Sequence, residues 1–411
     1  MNLDRRSFLG GLAALPFAAR SWAHAPLRRG RSLILVWLDG GFSHLDTFDC
    51  KPEASPEIRG DLGSMPAGDG AFVSAHLPLL AQRLDRCALL RSVTHGEGNH
   101  DRGSHLLLTG HRPSHVLVHP ALGAVFGHDG DGVLPPYVAI PQAVDYARAG
   151  FLPGVCGPFE VGGDPGRPDF AVRDLTADAG GARAQQLRAA LDALDGGPRG
   201  AAEAQRDAFV GMATRLSEDP AARRWFDLGA EPADLRARYG RHRLGQSCLL
   251  ARRLVQGGVR TVFVNDPGWD HHQQIKTALG YGFPPKLQAL DEALSALFDD
   301  LRAHELDDSV LVCLASEFGR TPRLNPLGGR DHWPRAQSVL LHGAGIRPGV
   351  VGSTDARGEE PAERPIAPAE VFATLVQALG IDRDLVLRTA DGRPVRLVAD
   401  EAEPVHEVLR A

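Results

Sequence analysis

The sequence predicts an α/β fold: a mostly parallel central sheet flanked by helices on both faces, carrying a helical insertion. Three observations point there. The runs "SLILVWL" (32–38), "VRTVFV" (259–264) and "SVLVCLA" (309–315) are apolar throughout rather than alternating, as strands covered on both faces are. Segments of helical period stand between such runs. With 411 residues and 43% hydrophobic content, the chain can build one large core.

Residues 1–25 read as a targeting segment and are set aside. Arg5 and Arg6 precede Phe8 and Leu9, then the apolar "LGGLAALPFAA", then small residues around "SWAHA". This order is a twin-arginine signal, with cleavage expected after Ala23 because Pro26 disfavours a cut after Ala25. The expected destination is periplasmic or secreted, the first partner the twin-arginine translocation machinery, and the α/β domain spans 26–411. No later segment has the roughly 18 consecutive apolar residues of a membrane span, so none is expected in the mature protein.

The first strand ends at Asp39. Residues 164–240, rich in Ala, Arg, Asp and Gly, show weak helical period in "AQQLRAALDAL" and "AAEAQRDAFVGMATRL" and form the predicted insertion. "RLGQSCLLARRLVQGG" is a helix that stops at a glycine pair before the second strand. That strand leads to Asp266 and Asp270. Leu287, Leu290, Leu294, Leu297 and Leu301 mark the next helix, and the third strand ends at Ser316 and Glu317. A last helix, "APAEVFATLVQALG", has Pro368 in its first turn and stops at Gly380.

Charge narrows the functional classes. A net charge of −6 and scattered arginines leave no basic face for a nucleic-acid backbone, so polynucleotide partners are excluded. Cys50, Cys87, Cys156, Cys248 and Cys313 lie far apart with no paired spacing and read as buried thiols.

In parallel sheets, sites form at the carboxyl ends of strands, which is where the acids stand. A single acid there is commonly a turn or cap residue; acids at three strand ends suggest a shared metal site. Histidines cluster as well: His95, His100, His105, His111 and His115. The pairs Asp270/His272 and Asp331/His332 mix carboxylate with imidazole, the donor set of zinc, manganese or iron, whereas an all-oxygen shell suits magnesium or calcium. A divalent cofactor is expected, zinc first, with the other four open.

"GGFSHLDTFDCKP", "NHDRGSHLLLTG", "GWDHH" and "EFGRTPRLNPLGGRDHWP" together resemble the bacterial exported family called domain of unknown function 1501. That family resembles a branch of the alkaline phosphatase and sulfatase superfamily, and the likeness runs in order from about residue 31 to residue 400. The resemblance implies an alkaline phosphatase-like fold and carries metal-binding roles onto Asp39, Glu317, Asp270, His272 and His332, with Asp331 beside them. His271 falls at the variable position of a Trp-Asp-any-His pattern. Phe318 stands where a ligand is usual, which weakens one metal subsite. The sulfatase nucleophile position is filled by His100, with no Cys or Pro nearby, which argues against a formylglycine sulfatase.

The expected activity is therefore metal-dependent hydrolysis of an anionic ester, phosphate or sulfate, on a small molecule or glycan. His100, Ser43 and Arg320 are the catalytic candidates. His100 could act as ligand, acid/base or phosphoryl acceptor; Ser43, Thr94 or Ser104 could supply a hydroxyl; Arg320, Arg330 and Arg102 could clamp a tetrahedral anion. The competing class is a non-catalytic exported protein of the same fold that binds a glycan, an envelope component or a partner protein.

Overall fold

The computed structural model describes residues 31–68, 70–127, 132–172, 211, 216, 219–277 and 282–410. Residues 1–25, the expected twin-arginine signal, and the middle of the expected insertion lie outside the described residues. Of the 164–240 segment, the described part includes two short helices, Pro220–Arg223 and Ala233–Arg238.

A central sheet of eight strands organises the chain. The strands are β1 (Ser32–Asp39), β2 (Cys87–Val93), β3 (Tyr137–Ile140), β4 (Phe159–Glu160), β5 (Thr261–Pro267), β6 (Val310–Ala315), β9 (Gln337–Gly343) and β10 (Gly349–Val351). A separate two-stranded ribbon, β7 (Gly319–Arg320) and β8 (His332–Trp333), falls between β6 and β9 in the chain. The order across the sheet is β10-β2-β9-β6-β1-β5-β3-β4. β9 runs antiparallel to both its neighbours, and the remaining pairs are parallel. The expected α/β sheet, mostly parallel, is thus observed.

The three predicted strands are its centre: β1 lies between β5 and β6, with Val36 opposite Val264 and Leu314. Successive β1 side chains point to opposite faces, and both faces are buried. Ile34, Val36 and Leu38 join one core cluster with α3 (Arg243–Gln256) and α4 (Phe283–Ala303). Leu33, Leu35 and Trp37 join a second with α1 (His100–Thr109), α2 (Leu122–Phe126) and α5 (Pro368–Ala378). All five leucines that predicted α4 are fully buried, each stabilising the fold by roughly 1.5–3 kcal/mol. β5 runs three residues beyond its apolar stretch. Asp266 continues the pairing opposite Leu38, and its buried charge is met by Arg243 and Lys286, each at 2.9 Å. The five cysteines are free and buried, as expected.

Candidate metal centre

The carboxyl ends of β1, β5 and β6 meet the amino end of α1 and the β7–β8 ribbon. After Asp39 the chain turns through Gly40 and Gly41, at φ 119° and 77°. A Cβ on Gly40 would stand 2.5 Å from the Asp270 nitrogen, and one on Gly41 2.5 Å from the Phe318 ring, so only glycine lets these segments approach. Beyond β5, the Trp269 N–H donates to Asp39 O (3.1 Å) and its indole to Asp266 Oδ2 (2.9 Å). Those two bonds deliver Asp270 to the end of β1. Asn99 caps α1 by accepting the Arg102 N–H at 3.2 Å, which sets His100 in the first turn. The ribbon pairs His332 with Arg320.

His100, Asp270 and His332 bring one ligand atom each within 4.8 Å of one another. His272 completes the group: its Nε2 is 3.0 Å from Asp270 Oδ1 and 3.1 Å from His332 Nε2. The decisive feature is behind the rings. His100 Nδ1 meets Glu317 Oε1 at 2.6 Å, His272 Nδ1 meets Asp331 Oδ1 at 2.7 Å, and His332 Nδ1 meets the Gly98 carbonyl at 2.9 Å. Each Nδ1 faces an oxygen acceptor and so carries the proton, leaving three Nε2 lone pairs beside one carboxylate. Imidazole backed by an oxygen acceptor is how metal-binding histidines are held. Separations near 3 Å also suit neighbouring ligands at zinc, with bonds of about 2.0–2.1 Å. The residues therefore fit a divalent ion.

Electrostatics follow from the same contacts. Glu317, hydrogen-bonded to His100, raises that imidazole above its ordinary range despite burial. Burial instead lowers His332, helped by the charges of Arg320 and His100. Burial would raise Asp270, but Arg320, His272 and His100 hold it below the usual carboxylate range. The His272 hydrogen bond does the same for Asp331. Asp39, half-buried beside the cluster, is pushed up to about 6 by burial and by the Glu317 and Asp270 charges.

The model of a family described as "Protein of unknown function (DUF1501)" matches residues 30–409. The chain belongs to this family. No curated protein sequence matches it. Among solved structures, it is similar to the lipoteichoic acid synthase LtaP from Listeria monocytogenes, at 12% identity and TM-score 0.40, covering 90% of this chain and 75% of that one. PsFucS1 sulfatase from Pseudoalteromonas sp. matches at 11% and 0.41, covering 92% and 74%. A protein in the alkaline phosphatase superfamily from Vibrio parahaemolyticus matches at 12% and 0.34, covering 86% and 67%.

In this DUF1501 chain the predicted site residues take unequal places. Asp270, His272, His332 and His100 converge, and Asp39 stands beside them. Glu317 and Asp331, expected as ligands, sit behind histidines instead. Glu317 is fully buried, with one oxygen taken by the Gly40 N–H and His100 and the other by Ser316 Oγ. Arg320, expected in catalysis, is 1% exposed and bonded to Asp270 and to the carbonyls of Gly40, Gly41 and Arg330. Arg330 is buried against Asp46 at 2.6 Å, and Arg102 is paired with Glu97 at 2.6 Å. Ser43 is also corrected: it is fully buried and donates to Asp46 Oδ2 at 2.5 Å, so its hydroxyl faces no substrate. His271 is buried and packs edge-on against Phe283 at 4.6 Å. Phe318 walls the site, its ring 5.0 Å from His100 and 4.6 Å from His332. Gly98 and Asn325 also serve the site, though neither is a ligand-type residue in the sequence; Asn325 donates to Asp331 Oδ1 at 3.1 Å and to the His272 carbonyl at 2.8 Å. The turn-forming "NPLGG" was the available signal for Asn325.

Proposed function

We propose that this protein is an exported metal-dependent hydrolase of an anionic ester, phosphate or sulfate, built on one divalent metal centre, zinc first. The observation that carries the reading is the set of three oxygen-backed imidazoles converging on Asp270. His100, His272, His332 and Asp270 would hold the ion, with Asp39 as a further oxygen donor. A divalent ion there would supply Lewis acidity and a more acidic water. Glu317 and Asp331 keep the proton on the outer ring nitrogens of His100 and His272. Arg320 orients Asp270 and ties it to the Gly40–Gly41 turn. Phe318 excludes water from one side of the cluster.

With Ser43 bonded to Asp46 and Ser316 bonded to Leu38 O and Glu317, neither of these two hydroxyls is offered as nucleophile. The twin-arginine segment supports the exported destination, and among the described residues no helix is long and apolar enough to cross a membrane. The engaged arginines favour a second reading, a metal-holding protein that binds without turnover. Screening phenyl phosphates and phenyl sulfate with the metal-loaded full chain separates them. Turnover lost to a chelator and restored by metal is expected; metal retained with no turnover of any ester would leave the binding reading.

A further inference from the structure

We infer that the anion this centre accepts carries a single charge, as a sulfate monoester or a phosphodiester does, and that dianionic phosphomonoesters are disfavoured. The inference rests on the metal-dependent reading above and comes from the charges around the cluster. Four carboxylates stand in or directly behind it: Asp39, Asp270, Glu317 and Asp331. One guanidinium, Arg320, reaches it, and with a divalent ion the set is left one unit negative.

A dianion would need further cations, and the nearby ones are engaged. Arg320 has no exposed face, and its donors end on Asp270 and on three carbonyls. Arg330 is fully buried, holding Asp46 and the carbonyls of Ile58, Thr321 and Pro322. Lys286, an electrostatic neighbour of Asp39, is bonded to Asp266 Oδ2 at 2.9 Å and the Pro267 carbonyl at 2.6 Å. Arg102, in the first turn of α1, is bonded twice to Glu97, at 2.6 and 2.9 Å. Releasing any of them would strip a carboxylate of its partner, at greatest cost for the buried Asp46 and Asp266. The buried forked donors that could recognise a phosphomonoester, Arg320 and Arg330, are therefore spent on the protein itself, and Arg102 is half exposed and held by Glu97. A second negative charge on the ligand meets repulsion from these carboxylates instead.

The full chain loaded with Co(II) provides the test, because anion binding perturbs the visible spectrum whether or not turnover follows. Phenyl sulfate, methyl phenyl phosphate and phenyl phosphate are titrated at pH 8, where only the last is a dianion. At least tenfold tighter binding of one or both monoanions is expected, and which one binds tells sulfate ester from phosphodiester. Phenyl phosphate binding within tenfold of the tighter of the two monoanions, or more tightly than it, overturns the inference while leaving the metal centre standing. Failure to take up Co(II) at all overturns the metal-dependent reading and this inference with it.

Discussion

At the scale of single residues, the proposed metal centre depends on groups that stand behind its histidines. Glu317 is the sharpest case: its buried carboxylate fixes the tautomer of His100 while also receiving the Gly40 N–H and the Ser316 hydroxyl. Glu317→Gln keeps the shape but weakens the acceptor, so metal affinity should fall about 10- to 100-fold. A competition titration against a chromophoric chelator measures this, and an unchanged far-ultraviolet spectrum would separate it from unfolding. Little of this role was legible in the sequence. The metal-type side chains were visible, because Asp270/His272 and Asp331/His332 are close in sequence. Which of them converge depends on contacts such as His100–Glu317, 217 positions apart. Burial was equally invisible: Ser43 and Arg320 look chemically able, and only the fold shows them engaged.

At the scale of elements, α1 joins the site to a second group of histidines. Asn99 caps its start, and Asn99→Ala should destabilise the protein by about 0.5–2 kcal/mol in chemical denaturation, and loosen His100 as well. Past its end, His111 stacks on His119 with ring centroids 3.8 Å apart, and His105 lies 6.2 Å from His119. Burial and mutual repulsion lower His119 to about 4, and burial lowers the other two. Each is held below its ordinary 6.5 in the folded state, so the unfolded chain binds more protons at mildly acidic pH. The His119 contribution to stability is therefore complete above about pH 6.5 and is lost as pH falls toward about 4, and His105 and His111 act in the same direction. His119→Gln should flatten that slope in melting temperatures taken between those values. The elements themselves were unequally legible. β1, β5 and β6 were readable as apolar runs because they are buried on both faces; β2 ("CALLRSV") and β9 ("QSVLLHG") carry polar residues and gave no such signal. The end of β5 was misjudged because Asp266 is neutralised by Arg243, from the first turn of α3, and by Lys286 of α4.

At the scale of the whole molecule, two apolar layers hold a sheet whose one open end gathers the chemistry. Leu294 of α4 is fully buried between that helix and the sheet, and Leu294→Ala should cost about 2–5 kcal/mol in global unfolding without changing metal content. The same separation of roles gives the most direct test of the metal centre. Metal per chain is measured by elemental analysis on the purified full chain and on an Asp270→Ala/His272→Ala variant. One equivalent of a divalent metal in the wild type, lost in a variant that still folds, is the expected result. A wild type that holds no metal even after reconstitution, or a variant that retains it fully, would contradict the assignment.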